Sequence, residues 1–397
     1  MIPRQITAQL VALARQYPVV TVTGPRQSGK TTLLRQTFPA KPYVNLEAPD
    51  TRAHFAADPR GFLARYPDGA ILDEFQRVPD LSSWLQVLVD DAPTPGRFLL
   101  TGSQQLEVMS RVSQSLAGRT ALLKLLPLSI EELVNAGISH AADHLLFAGG
   151  YPRIHAPAID AIAPVAPGQM LADYFETFVQ RDLRQLAEIR DLSLFERFVR
   201  LCAGRVGQLL NLNNLAADTG ISQPTARAWL TLLEANFIVF LLPPCHANLR
   251  KRLIRSPKLY FHDVGLASFL LGIETAAQIA AHPLRGPLFE NLAISEVYKW
   301  YCNRGKRPQL SFYRDAGGLE VDLLIDHPRS PIAIEIKSGA TIAGDMLTAL
   351  KRHAEIAPRL SAVRMLVHGG ELDATRSGVW LVSLPHLPDA LAHANSA

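Results

Sequence analysis

The chain has 397 residues, 48% hydrophobic and 19% charged, with a formal net charge of +4 and a pI near 9.0. That length exceeds one ordinary core, so two or three domains are expected, and the composition excludes a largely disordered chain. The mild basicity admits nucleic acid as a partner without requiring it.

The first segment, MIPRQITAQLVALARQYPVV, carries an amphipathic helical pattern and no signal-peptide core. No apolar stretch approaches membrane-spanning length, so a membrane partner is not expected. Cys202, Cys245 and Cys302 are scattered, with no pair at metal-ligand spacing, which fits a reducing cytoplasm.

Residues 18–23, PVVTVT, read as a short buried strand. GPRQSGKTT follows at once, and LLRQTF then continues as a helix, so the phosphate-binding pattern G-x-x-x-x-G-K-T lies between a strand and a helix. In such a loop, the backbone of Gly24, Pro25, Arg26, Gln27, Ser28 and Gly29 wraps nucleotide phosphates at a helix N-terminus. Lys30 is expected to reach the β- and γ-phosphates and Thr31 to ligate Mg2+, with Thr32 closing the loop.

DGAILDEFQRVP, residues 68–79, reads as an apolar strand ending in Asp73 and Glu74. Carboxylates at the carboxyl end of a strand lie in the ligand crevice of an open α/β sheet. Asp73 is expected to hold Mg2+, usually through water, and Glu74 to polarise the attacking water. A further strand in GRFLLTGSQQ ends in Thr101, Ser103 and Gln104, polar groups placed to sense a γ-phosphate. Arg119, one helix-length on, reads either as a finger completing a neighbouring subunit's site or as a salt-bridged surface arginine.

GPRQSGKTTL, YVNLEAPD, ILDEFQRVP, LLTGSQ and LAGR…LPLSIEEL, with GGYPRI (149–154) and YFETFVQRDLRQL (174–186), resemble one family nearly throughout the chain. It is the group of bacterial and archaeal AAA-type ATPases with a C-terminal domain of unknown function. The resemblance implies an α/β chain with an AAA+-like P-loop NTPase core, a winged-helix segment and a C-terminal domain similar to restriction endonucleases. ATP and Mg2+ are the implied cofactors.

APAIDAIAPVAPG, residues 156–168, suggests a looser connection. Beyond it, Asn213 to Ala217 begin one helix, Gly220 supplies a turn, and Ser222 caps a second helix ending near Glu234. FIVFLL and KLYFHD read as the two strands of a wing, with Arg250, Lys251, Arg252 and Arg255 at its tip. On DNA, Gln223, Thr225 and Arg227 would approach base edges while the tip arginines hold phosphates. The same pattern also reads as a packing or protein-binding module. Asp263 is expected to cap or pack rather than to catalyse.

PLFENLAISEVYKWYCNRGK (287–306) reads as an amphipathic helix with Glu290 near its start, and the strands LSFYRD, LEVDLLID and PIAIEIKSG follow. Helix, strand with Asp322, then strand with Glu335-x-Lys337 is similar to the order in PD-(D/E)xK nucleases. That likeness implies Asp322 and Glu335 as Mg2+ ligands, Lys337 as the group that orients or deprotonates water, and Glu290 as the completing acid. The competing reading pairs the acids with Lys337 and Arg314 in a module that does not cut. His368 and His386 read as ordinary loop histidines.

The expected division is 1–155 (ATPase), 156–275 (helical and winged helix) and 276–397 (endonuclease-like). Three functions fit: an ATPase driving attached modules on DNA or a protein partner, an ATP-gated DNA nuclease, and a nucleotide-dependent assembly switch. A finger acting between subunits would make the chain a homo-oligomer.

Overall fold

The computed structural model describes residues 2–103, 115–156, 165–179, 189, 191–245, 256–327 and 330–396. Gln104, the basic run from Arg250 to Arg255, and the later part of the 174–186 motif lie outside the described residues.

The first sheet contains β1 (Val19–Thr23), β2 (Tyr43–Asn45), β3 (Ala70–Asp73), β4 (Phe98–Gly102) and β5 (Thr120–Lys124). All are parallel, in the order β2-β3-β4-β1-β5. β1 and β4 are buried at every position, as a parallel sheet covered on both faces requires. Alternation divides their side chains between two cores. Val20, Val22, Ile71 and Leu99 meet Leu10 of α1 (Thr7–Ala14) and Leu33 and Leu34 of α2 (Lys30–Thr37). On the other face, Val19, Leu72, Phe98 and Leu100 meet three further helices. These are α3 (Pro49–Ala57), α4 (Pro59–Ala64) and α5 (Leu81–Asp91), which contribute Phe55, Phe62 and Leu85. Because β4 is inserted between β1 and β3, Thr23, Gly102 and Asp73 finish side by side.

A mainly helical region follows: α6 (Ile130–Asn135), α7 (Ala142–Ala148), α8 (Pro167–Thr177), α9 (Leu192–Ala203), α10 (Leu212–Thr219) and α11 (Gln223–Ala235). In α9 the i, i+3, i+4, i+7 set Phe195, Phe198, Val199 and Cys202 is buried, and both phenylalanines meet Trp229 edge-on at 5.1 and 5.5 Å. Asn211 caps α10, Gly220 ends it at φ +88°, and the Ser222 hydroxyl accepts from the Thr225 N–H to start α11.

Two short antiparallel strands come next, β6 (Val239–Leu242) and β7 (Lys258–Phe261), then α12 (Val264–Leu270) and α13 (Ala276–Ala281). The two strands expected here do form and pair, and they are packed inside, with Phe240, Leu259 and Tyr260 in the large core. Asp263 does cap α12, accepting from the Leu266 N–H at 3.0 Å.

The second sheet contains β8 (Leu310–Arg314), β9 (Glu320–Ile325), β10 (Ile332–Lys337), β11 (Val363–His368), β12 (Ala374–Arg376) and β13 (Val379–Ser383), in the order β12-β13-β11-β10-β9-β8. β8, β9 and β10 form an antiparallel meander, and β10, β11 and β13 run parallel. Ile332, Ile334 and Ile336 pack in the same core as α14 (Arg285–Asn303), while Ala333 joins Leu350 of α15 (Thr348–Ile356) in another. Leu387 and Leu391 of α16 (Leu387–Ser396) return to the large core. That core runs from Leu128 to Ala394, so the helical region and the second sheet share one apolar interior.

Candidate nucleotide site and C-terminal acidic cluster

The loop between β1 and α2 is shaped by two glycines. A Cβ on Gly24 would lie 2.0 Å from the Leu125 carbonyl oxygen, and Gly29 begins α2 at φ +92°. The buried Ser28 hydroxyl donates to the Pro25 carbonyl at 2.9 Å, and Lys30 Nζ donates to the Gly24 and Pro25 carbonyls at 3.0 and 2.8 Å. Gln27 stands exposed at φ +58°, Arg26 is half-buried, and Thr32 is exposed on the first turn of α2. The lysine thus lies folded along the loop it serves.

The strand ends above the loop hold one hydrogen-bonded set. Thr31 Oγ1 donates to Asp73 Oδ1 at 2.8 Å, Thr101 Oγ1 donates to the same oxygen, and Tyr43 OH donates to Asp73 Oδ2 at 2.8 Å. Burial first, then this bond to Asp73, pushes the Tyr43 hydroxyl up from its ordinary value. Glu74 adopts φ +54°, with its N–H on Thr101 Oγ1 at 3.1 Å. Its Oε2 accepts from Ser103 Oγ at 3.1 Å and from Gln76 Nε2 at 2.5 Å. Loop, acid pair and polar strand end therefore converge. A hydroxyl and a carboxylate are hard oxygen donors, so Thr31 and Asp73 fit Mg2+.

Arg119 sits elsewhere. It precedes β5, whose Thr120 pairs with Val19 at the start of β1, and is therefore at the opposite end of the strands from the loop. Its guanidinium holds Asp90 at 2.5 and 2.8 Å. It does not reach the nucleotide site of its own chain.

Several residues around the loop escaped the sequence reading. Arg4 donates to the Ser28 carbonyl at 2.7 Å, the Leu126 carbonyl at 2.6 Å and Glu132 Oε1 at 3.0 Å. Beside the loop, a cavity of about 230 Å³ is lined by Ile2, Gly29, Thr32, Leu128, Pro152 and Arg153. The GGYPRI motif is placed there by close packing. The Gly150 N–H donates to Asp263 Oδ2 at 2.7 Å, and a Cβ on Gly149 would meet Asp263 Oδ1 at 2.2 Å. The chain after β5 is also tied to α14: the Ile130 N–H donates to Glu296 Oε2 at 2.8 Å, and Lys299 Nζ donates to the Leu128 carbonyl at 3.0 Å.

In the helix-turn-helix, Arg227 is exposed on α11, and Gln223 and Thr225 are half-buried. Thr225 shares a hydroxyl contact of 2.8 Å with Ser222.

At the second sheet, Glu290, Asp322, Glu335 and Lys337 do come together. Lys337 Nζ donates to Glu335 Oε1 at 2.6 Å, and the Ile336 N–H donates to Asp322 Oδ2 at 2.8 Å. Burial, then the neighbouring Asp322, pushes Glu335 up to about 8 and Glu290 to about 7. Burial opposes the charge on Lys337, but Glu335, Asp322 and Glu290 outweigh it and hold the ammonium up.

The arrangement departs from a Mg2+ site. Among the described residues, no group of three or more His, Cys, Asp or Glu side chains is set to hold a metal ion. Instead Lys258, which the sequence reading passed over, places Nζ 3.0 Å from Glu290, 2.5 Å from Glu320 and 3.9 Å from Asp322. Tyr260 OH donates to the same Glu290 oxygen. Arg314, expected near the acids, pairs with Glu320 at 3.1 Å. Asp322 and Glu335 as they stand do not fit a shared Mg2+.

His368 Nε2 contacts the Leu372 carbonyl and His386 contacts Asp373, so both are ordinary local contacts.

The parallel sheet, the phosphate loop and the acid pair beside it define an AAA-type P-loop ATPase domain, and residues 16–134 match the family model described as an AAA domain. Residues 139–277 and 285–387 match two domains of unknown function, DUF8612 and DUF4143. The chain belongs to the same family as "Uncharacterized protein Rv2008c" of Mycobacterium tuberculosis, to which it is 34% identical over 350 residues, 87% of this chain and 77% of that one. "Uncharacterized protein Mb2031c" of Mycobacterium bovis matches with the same identity and coverage. Among solved structures, "The walker-type atpase paby2304 of pyrococcus abyssi" aligns with a TM-score of 0.44 and 15% identity, over 68% of this chain and 96% of that chain. No helix among the described residues is long and apolar enough to cross a membrane.

Proposed function

We propose that the chain hydrolyses ATP with Mg2+ and transmits its nucleotide state, through the chain after β5 and α14, to a winged-helix-like region and a nuclease-like C-terminal module acting on DNA or a protein partner. The proposed functional division is 1–155, 156–275 and 276–397. One observation carries the ATPase reading: the set Thr31–Asp73–Thr101 with Glu74–Ser103, gathered where three neighbouring strands end above the loop.

In this reading the amides of Gly24 to Gly29 wrap the phosphates, and Lys30 turns from the loop carbonyls to the β- and γ-oxygens. Thr31 and Asp73 hold Mg2+, which neutralises charge on the transferred phosphoryl group. Glu74 takes the proton of the attacking water, and Ser103, already on Glu74 Oε2, reports the γ-phosphate to β4. Arg4 supports the transmission, because it bonds both the loop at Ser28 and the segment at Leu126 that leads to α14.

The test is phosphate release by the wild-type chain, Glu74→Gln and Asp73→Asn, alongside nucleotide binding. Binding retained in Glu74→Gln with turnover lost supports the assignment; full turnover in Glu74→Gln sinks it.

A second reading, an ATP-gated DNA nuclease, requires the acids to rearrange from the closed arrangement before they take Mg2+, and draws on Glu335 Oε2, a buried oxygen with no hydrogen-bond partner among the described residues. Mg2+-dependent cleavage abolished by Asp322→Ala with ATP turnover intact would favour it.

A further inference from the structure

We infer that Lys258 is the resident cation of the C-terminal acidic cluster: its ammonium takes the position a divalent ion would otherwise fill, and it keeps the cluster closed to metal while the β6–β7 hairpin is seated.

The acids come from two elements and the ammonium from a third. Glu290 is on α14, Glu320 and Asp322 are on β9, and Lys258 begins β7 with its side chain only 3% exposed. Nζ reaches Glu320 at 2.5 Å, Glu290 at 3.0 Å and Asp322 at 3.9 Å, and it lies 5.5 Å from the centre of the Phe312 ring. Tyr260, two residues on and therefore on the same face of the strand, donates to the same Glu290 oxygen. Two successive residues of one strand face are thus committed to these acids.

The remaining donors complete the pattern. Arg314 takes Glu320 Oε2, Lys337 takes Glu335 Oε1, and the Ile336 N–H takes Asp322 Oδ2. Each acid already commits at least one oxygen to a cation or an N–H. A divalent ion brought among Glu290, Glu320 and Asp322 would sit within a few ångströms of a buried ammonium, and such like charges repel strongly where water is scarce. Withdraw the lysine, and the four acids face only Lys337 and Arg314, so that negative charge on them becomes still more costly to bury and a divalent ion relieves it.

The hairpin fixes where Lys258 can go. The chain leaving β6 is joined to the second sheet: the Cys245 N–H donates to the Phe312 carbonyl at 2.7 Å, and the Phe312 N–H donates to the Pro243 carbonyl at 3.0 Å. Lys258 itself bridges to Leu209 ahead of α10. Anchored in this way, the hairpin holds the ammonium among the acids, and lifting it from β8 would draw Nζ away from them. Metal entry at this cluster is therefore governed by hairpin position.

The experiment is Mn2+ titration by calorimetry on the nucleotide-free full-length chain, as wild type, Asp322→Asn, Lys258→Met and Lys258→Met/Asp322→Asn. Wild type and Asp322→Asn should take up the same amount of Mn2+. Lys258→Met should gain one ion per chain, lost again in the double variant. The proposal is overturned if wild-type uptake falls on Asp322→Asn, because metal then enters beside the lysine, or if folded Lys258→Met gains no site. ATP turnover checks folding of Lys258→Met. Should that variant not fold, wild type against Asp322→Asn decides the matter alone, with Lys258→Arg expected to match wild type.

Discussion

The chain contains two charged centres built from similar parts, each with carboxylates at a strand and a lysine a few ångströms away. They differ in what the lysine is seen to hold. Lys30 donates to two carbonyls of its own loop, contacts that a phosphate can replace. Lys258 holds Glu290 and Glu320, and Lys337 holds Glu335, so releasing either strands a buried acid. The first centre is arranged to exchange partners; the second is arranged to keep them. In the second, burial and then neighbouring acids push Glu290 and Glu335 upward, and burial does the same to Asp322.

The sharpest way to break this contrast is Lys30→Ala. If Lys30 is the group that turns to phosphate, turnover falls by about 10²–10³-fold in a phosphate-release assay while the fold persists. Turnover within a few-fold of wild type would remove the distinction.

Next in size is the stability of the second centre. Lys258→Met leaves Glu290 and Glu320 without their ammonium and should cost about 3–5 kcal/mol in urea unfolding. Lys337→Met should cost about 1 kcal/mol, because the Lys337 side chain is 37% exposed and water replaces part of what is lost. Equal losses for the two would mean that Lys258 is no more central than a rim lysine.

The two centres were unequally legible. The nucleotide site is written in contiguous stretches, since a strand, GPRQSGKTT and a helix must be neighbours to form a phosphate loop. The acid pair closing an apolar strand was equally plain, because parallel strands end in the ligand crevice. The partners of those residues were not, since Tyr43 reaches Asp73 and Arg4 reaches Ser28 only through the order of the sheet. The two helices α10 and α11 and the turn between them were readable from Ser222 and Gly220. The two strands after them were readable as well, but not where they pack, because a buried strand and a free wing share the same β-branched and aromatic alphabet; burial separates them, and burial is a tertiary fact. Lys258 was hidden for the same reason. Heading an apolar strand, it reads as a strand-end charge, although Tyr260 two residues on hinted at a polar strip along one face.

A smaller effect lies in pH. Glu335, pushed to about 8, and Glu290, pushed to about 7, stay protonated in the folded chain well above their ordinary value of 4.5. Their contribution to stability is fully present below about 4.5 and is lost as pH rises through 7 to 8. The buried histidines act oppositely. Burial lowers His155 to about 4 and His262 to about 3 from 6.5, so their contribution is present above 6.5 and is lost as pH falls towards those values. The windows separate above 6.5, where only the acids slope. Unfolding midpoints between pH 6.5 and 8 should fall for wild type and stay flatter for Glu335→Gln. An unchanged slope in the variant would show that the acids ionise as exposed ones do.

The smallest effect on stability is expected at Arg119. Its partner Asp90 is exposed, and the pair sits at the end of the strands remote from the loop. Water and salt screen such a pair, so Arg119→Ala should leave the melting temperature unchanged. Its position nevertheless suits an arginine offered to a second copy, because one end of the strands carries the phosphate loop and the other carries the guanidinium. If chains associate in that head-to-tail sense, turnover per chain should rise with protein concentration in the wild type, and Arg119→Ala should lose activity only at concentrations where chains associate. Flat turnover across concentration, with Arg119→Ala equal to wild type throughout, would return Arg119 to a surface role and leave each nucleotide site to work with the residues of its own chain.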